Sequence, residues 1–141
     1  MTSGPDVERG YVERLGAICT ALPEVVEEDA WAGVRWSIRT KNFAHLVAIA
    51  DGRPAAYAEA AGTTGPATVL TFRSAGDELL ALCAVGPPFF EPVWFRDIVG
   101  LVLADDPAAV DWDEVTELVT ESYRLLAPKR LAAQLPPPPT P

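Results

Sequence analysis

The feature that most constrains the fold is a strongly amphipathic segment between residues 111 and 126. Asp111 precedes it and Glu114 follows three residues later, which is the spacing of an N-terminal capping box. Helical spacing relates its large apolar side chains: Val115, Leu118, Val119, Tyr123 and Leu126. The pattern predicts a helix that begins after Asp111 and buries one face.

Several short apolar segments upstream of this helix predict strands. Trp36 and Ile38 alternate with polar neighbours, which indicates a strand with one solvent-facing side that carries Arg35, Ser37 and Arg39. Residues 43–49 predict a second strand, and the short polar segment 40–42 makes the two a hairpin. The alternation along the second strand places four residues on one side: Phe43, His45, Val47 and Ile49. Residues 68–73 and 98–103 predict a third strand and a central strand.

The remaining segments complete a single domain over residues 1–135. Helical patterns cover residues 7–22 and 74–83, and residues 129–135 suggest one or two final turns. Residues 24–29 are interpreted as a solvated acidic loop, and residues 89–92 as a loop with exposed aromatic side chains. Residues 55–65 receive no assignment. The proline-rich residues 136–141 predict a disordered, extended tail.

The charge and the cysteine content indicate the compartment in which the protein acts. The chain has 20 acidic and 11 basic residues, a formal net charge of −9, which favours solubility and repels polyanions at long range. No apolar run approaches the roughly 18 residues that span a bilayer. Cys19 and Cys83 are far apart and lie in helical patterns, so we interpret them as small, reduced, buried residues. These features predict a cytoplasmic protein without membrane association.

The sequence shows no set of residues that would form a catalytic site. His45 is the one histidine, and without an evident nucleophile we interpret it as a half-buried histidine bonded to a neighbour; the alternative is a general base. One histidine and two dispersed cysteines do not make a closed zinc site. The acidic residues between 105 and 114 lack the spacing of a calcium loop. We therefore expect no enzyme activity, no metal and no cofactor.

Two groups of residues could form a binding surface. A basic strip for nucleic acid would consist of Arg35, Arg39, Lys41 and Arg73. The alternative is an interface for a protein or small ligand, because aromatic side chains in a loop are typical interface anchors. That loop contributes Phe89, Phe90, Trp94 and Phe95.

The order and spacing of three segments resemble the MmcQ/YjbR family over residues 7–135. They are Arg-Thr-Lys-Asn-Phe-Ala at 39–44, Pro-Phe-Phe-Glu-Pro at 88–92, and the stretch from Ser122 and Tyr123 to Lys129. The third strand of the family often ends in lysine, and here the matching residue is Arg73. A Gly-Trp pair often opens the strand before the last helix, and the matching residues are Asp97 and Ile98.

The resemblance implies a two-layer α+β fold, with helices packed on an antiparallel sheet, similar to a phage double-wing fold. Members of this family are often labelled as DNA-binding proteins, so the resemblance implies DNA binding. It implies no catalytic residues. The expected function is that of an uncharacterised, non-enzymatic binding protein of the MmcQ/YjbR type. Its partner would be DNA, bound weakly, or a protein or small ligand at the aromatic loop.

Overall fold

In the computed structural model, which describes residues 6–92, 94 and 96–135, six strands form one antiparallel sheet. The strands are β1 (Val26–Asp29), β2 (Val34–Ile38), β3 (Lys41–Ile49), β4 (Ala67–Arg73), β5 (Phe89–Phe90) and β6 (Ile98–Val102). The helices are α1 (Arg9–Thr20), α2 (Ala55–Ala61), α3 (Gly76–Val85), α4 (Trp112–Leu126) and α5 (Lys129–Ala132). The sheet order is β1-β2-β3-β4-β6-β5, and every pairing is antiparallel. The expected α+β class is confirmed.

Helices α1 and α4 cover one face of the sheet. Their apolar stripes meet inward-pointing strand residues such as Leu46 and Leu70, both fully buried. The predicted stripe of α4 is confirmed, because Val115, Leu118, Val119 and Tyr123 are all buried there. Full burial of one such side chain stabilises the fold by roughly 1.5–3 kcal/mol. The main hydrophobic core therefore lies between these two helices and the sheet.

The N-terminus of α4 has the predicted cap. The Asp111 Oδ1 atom accepts a hydrogen bond from the Glu114 backbone N–H at 3.1 Å. We expect Asp111→Ala to lower the free energy of unfolding by about 1 kcal/mol, because one N–H at the helix end loses its acceptor. Urea denaturation measures this loss. Glu117→Ala, at an exposed mid-helix position, is the matched control and should change stability by less than about 0.5 kcal/mol. Equal effects of the two substitutions would contradict the capping role.

A smaller apolar cluster lies on the opposite face. Val47, Ile49 and Val69 alternate with the residues that face α1 and α4, so they point the other way. Ala58 of α2 packs on them. This helix lies within residues 55–65, the segment left without an assignment in the sequence analysis. It ends at Gly62, whose φ of 73° places it in the left-handed region that glycine adopts without strain.

A β-bulge interrupts the pairing of β2 and β3. Trp36 pairs with Ala44, whereas the next residue, Ser37, pairs with Asn42, which leaves Phe43 as the extra residue on β3. As a result Phe43 packs in the helix-side core rather than on the side of His45. The prediction that Phe43 and His45 share one face is therefore wrong. Strict alternation holds only where the ladder is regular.

Two predicted loops are strands. Residues 26–29 form β1, an edge strand with four exposed residues, so the prediction of an acidic loop is wrong there. Phe89 and Phe90 form β5 and are half-buried, whereas the sequence suggested an exposed loop. Cys19 is buried as expected, but Cys83 is exposed. Its Sγ lies 3.3 Å from the Glu91 carboxylate and donates to it.

The predicted proline tail at residues 136–141 lies outside the described residues. Within the described part of the chain, none of the helices combines the length and apolar character needed to cross a membrane.

Candidate functional site

A cavity of about 250 Å³ opens on the face of the sheet opposite α1 and α4. His45 of β3 and Thr71 of β4 are cross-strand partners at its floor. Arg73 follows two residues later on the same side of β4, and Tyr57 of α2 forms a wall. We call this site the β3–β4 cavity; its lining consists of Asn42, Phe43, His45, Tyr57, Thr71, Phe72, Arg73, Trp94 and Ile98.

Hydrogen bonds fix the ring of His45. Its Nε2 atom lies 2.5 Å from the carbonyl oxygen of Ala32, which can only accept, so Nε2 carries the hydrogen. Nδ1 then accepts from the Tyr57 hydroxyl at 3.3 Å. Burial lowers the pKa of His45, and Arg35 lowers it further, against the opposing effect of the Ala32 hydrogen bond. The half-buried histidine bonded to neighbours is thus confirmed.

The neutral form of His45 makes stability depend on pH. Because the folded pKa lies below the ordinary value of 6.5, the unfolded chain binds the proton more readily. The contribution of His45 is therefore complete above pH 6.5 and decreases as the pH falls below it. We expect the wild type to lose more unfolding free energy between about pH 7.5 and pH 5 than His45→Gln, in urea titrations. Parallel pH profiles of the two proteins would contradict this.

Helix α4 holds in place the strand ends that carry Asn42 and Arg73. The fully buried Ser122 hydroxyl donates to the Phe43 carbonyl at 2.6 Å and accepts from the Arg73 backbone N–H at 2.8 Å. The ring of Tyr123 meets the ring of Phe43 edge-on, with centroids 5.5 Å apart. These contacts fix the bulge, and with it the spacing between the two strands at the cavity.

Two aromatic rings form the outer wall of the cavity. Tyr57 and Trp94 pack at 66°, with their centroids 5.0 Å apart, and Tyr57 also meets His45 edge-on at 6.0 Å. Trp94 is 42% exposed, so part of its apolar surface faces solvent. The wall therefore offers a partly open aromatic surface next to polar groups.

The structure separates the predicted basic strip. Arg35 Nε lies 2.9 Å from a Glu28 oxygen, and Arg39 Nη2 lies 2.9 Å from a Glu24 oxygen. Arg39 occupies the hairpin turn, at a φ of 50°, rather than a strand face beside Arg35 as predicted. Lys41 is exposed at the start of β3. Of the four residues, Arg73 is the one that lines the cavity.

The predicted aromatic surface is also divided. Phe89 packs against the helix-side core and Phe90 against the smaller cluster on the other face. A Cβ atom on Gly100 would collide with the ring of Phe90, so that ring lies directly over Gly100 on β6. Trp94 lines the cavity, and Phe95 lies outside the described residues.

The cavity thus brings together residues that the sequence assigned to two rival surfaces, Arg73 and Trp94. Asn42, Tyr57 and Thr71 were missed as site residues. Asn42 belongs to the hairpin segment that resembles the family, which was the available signal for it. Tyr57 lies in the unassigned segment, and nothing in its local sequence indicates that α2 packs on the sheet.

Acidic side chains near the start of α4 serve local structure. Asp106 accepts from the Ala108 N–H at 2.9 Å, and Asp111 caps α4. Among the residues that the structure describes, no group of three or more His, Cys, Asp or Glu side chains is placed to hold a metal ion.

Comparison with known proteins identifies the family. The family model YjbR matches residues 20–125, which is more than half of the chain. No curated protein and no solved structure matches. The matched region contains the hairpin with its bulge, β4, and Ser122 on α4, so it includes the parts that form the β3–β4 cavity. The chain therefore belongs to the YjbR family.

Proposed function

We propose that this protein is a non-enzymatic binding domain that takes a small ligand in the β3–β4 cavity. The observation that carries the proposal is the convergence of Arg73, His45 and Tyr57 with Asn42 and Trp94 around one concave site. Ligand sites typically combine apolar and aromatic walls with a few placed polar groups. This is the small-ligand form of the alternative that the aromatic loop suggested.

The hydrogen bonds at both ring nitrogens of His45 support a role in binding rather than in catalysis. Both ring nitrogens already have partners, the Ala32 carbonyl and the Tyr57 hydroxyl. A general base must reach the proton that it removes, and its lone pair must be available. Here the lone pair on Nδ1 accepts the Tyr57 hydroxyl hydrogen, so we assign His45 to shaping the wall of the cavity.

Duplex DNA, which the family label suggests, is the weaker candidate. Glu28 and Glu24 accompany Arg35 and Arg39, so each phosphate contact would compete with an ion pair already present. The chain also carries a net charge of −9, which repels a polyanion at long range. We expect duplex affinity at physiological salt no tighter than roughly micromolar, with a steep loss as salt rises.

Fluorescence anisotropy with a random-sequence duplex pool, across a salt series, measures that affinity. Arg35→Glu and Arg39→Glu test whether the hairpin contacts any DNA that is bound. Nanomolar binding with an enriched sequence motif at physiological salt would instead establish the DNA function.

The small-ligand proposal can be tested on the full chain by ¹⁵N NMR, since the protein has a mass of only 15.1 kDa. A fragment mixture of neutral, anionic and cationic compounds should shift the backbone amides of Asn42, His45 and Thr71. Amides on the exposed edge strand β1, such as Glu28, serve as the internal control. Fragment shifts confined to surfaces away from the cavity would refute the proposal.

We further propose that the protein acts in the cytoplasm. Cys19 and Cys83 are both unpaired thiols in the structure, and reducing compartments keep thiols in that state.

A further inference from the structure

We infer that the β3–β4 cavity selects a small aromatic acid, with the anionic group at Arg73 and the ring against Tyr57 and Trp94. The inference rests on the proposed function and specifies its ligand class. Both a carboxylate and a phosphate monoester satisfy the chemistry, and the experiment below separates them.

The charge of the cavity points to an anion. Among its described lining residues Arg73 is the cation and none is acidic, although the chain has 20 acidic residues. Burial and the nearby Arg35 lower the pKa of His45 despite its hydrogen bond to the Ala32 carbonyl, so the neutral ring adds no second charge. The guanidinium group matches the two oxygens of a carboxylate or phosphate in one plane. We therefore expect the ligand to carry one anionic group that the guanidinium donors can bind.

The polar lining also favours an acceptor-rich group. The Tyr57 hydroxyl donates to Nδ1 of His45, so its hydrogen is not available to a ligand. The Asn42 amide and the Thr71 hydroxyl remain as neutral groups that can donate into the cavity. With Arg73, they place donors on the two strands at the floor of the site.

The aromatic wall calls for a ring on the same ligand. Trp94 is 42% exposed while it packs at 5.0 Å on Tyr57, so a ligand ring can bury apolar surface that is now in contact with water. Aromatic pairs add stabilisation beyond the area they bury. An anion without a ring would leave this wall exposed.

The volume limits the size of the ligand. The cavity has a volume of about 250 Å³. It lies below the usual range for drug-sized ligands, about 300–1,000 Å³. A single ring with one acidic group fits, whereas a segment of nucleic acid does not.

The test titrates the full chain with four probes, followed by ¹⁵N NMR: benzoate, phenyl phosphate, benzamide and acetate. Benzamide keeps the ring and removes the charge, and acetate keeps the charge and removes the ring. We expect benzoate or phenyl phosphate to bind at least about tenfold more tightly than the other two, with shifts at Asn42, His45 and Thr71. Whichever of the two acids binds more tightly identifies the anionic group.

Matched variants assign the contacts. Arg73→Gln should lower affinity for the bound acid at least about tenfold, whereas Arg9→Gln, at an exposed residue of α1 on the opposite face of the sheet, should not change it. Trp94→Ala should reduce the affinity of the aromatic acid to that of acetate. Trp31→Ala, which removes a 73% exposed ring elsewhere, should have no effect.

The outcomes distinguish the two proposals. Equal binding of benzoate and benzamide in the cavity would overturn the inference of an acid and leave the small-ligand function standing. Equal binding of benzoate and acetate would overturn the role of the ring. If none of the four probes shifts the NMR signals of the cavity amides, the inference is overturned. If the whole fragment mixture also leaves these signals unchanged, the proposed function is refuted as well.

Discussion

We expect Gly33→Ala to lower the free energy of unfolding by about 3 kcal/mol or more. Gly33 has a φ of +77°, a conformation that costs other residues roughly 1–2 kcal/mol. A Cβ atom there would also lie 1.8 Å from the carbonyl oxygen of Leu46, so the loop or strand β3 would have to move. Backbone strain and a backbone collision together belong to the mechanisms that give unusually large effects.

Gly62→Ala is the matched control for this substitution. Gly62 has a similar φ of +73°, but a Cβ atom there has no neighbour within 4 Å. It should show the conformational cost alone, about 1 kcal/mol. Urea denaturation of the two variants and the wild type measures the difference. If both variants lose the same stability, the close approach to Leu46 has no energetic importance.

The close approach of Gly33 also matters for the cavity. It brings the preceding residue, Ala32, against β3, where the Ala32 carbonyl accepts from His45 Nε2. Movement of this loop would remove the contact that fixes the imidazole hydrogen. We therefore expect Gly33→Ala to alter the NMR signal of the His45 ring in any fraction that remains folded.

The second large effect is expected for Ser122→Ala, at about 2–4 kcal/mol. The variant would leave the Phe43 carbonyl and the Arg73 N–H without the hydroxyl that now satisfies both. Each unsatisfied buried polar group costs about 1–3 kcal/mol. The loss would also release the bulge from α4, so ligand affinity in the cavity should fall together with stability.

Thr116→Ala provides the control on the same helix. The Thr116 hydroxyl donates to the Trp112 carbonyl at 2.7 Å, close to the 2.6 Å of the bond that Ser122 donates. Such a bond back to the preceding turn adds little to a helix, and alanine has the higher helix propensity. We expect a change within about 0.5 kcal/mol. Thermal and urea unfolding of both variants compare the stability lost with a hydroxyl that links two strands, that of Ser122, and with one that bonds only within its own helix, that of Thr116.

Local signals made α4 predictable. Its cap, its acidic first turn and its apolar stripe all lie within residues 111–126, so no distant contact is needed to recognise them. Strand β1 had no comparable signal. All four of its residues are exposed, and it is a strand because β2 supplies its hydrogen-bond partners. An edge strand of this kind resembles an acidic loop in sequence.

The candidate site was predicted in part for the same reason. Arg73 and Trp94 were recognised as binding residues, but they lie 21 positions apart and were assigned to different surfaces. Their meeting depends on the packing of α2 and on the bulge at Phe43. Both are tertiary features, since alternation along β3 predicts a regular ladder and the alanine-rich α2 segment has no amphipathic stripe.

The Ser122 bridge has a consequence for hydrogen exchange. The Arg73 amide hydrogen is bonded to a hydroxyl that lies wholly inside the helix layer, rather than to a neighbouring strand. Fraying of the sheet edge therefore does not expose it, and its exchange with solvent deuterium requires α4 to separate from β3 and β4. The exchange rate at this position reports the free energy of that opening, and we expect a ligand bound in the β3–β4 cavity to raise this free energy by RT ln(1 + L/Kd), where L is the free ligand concentration.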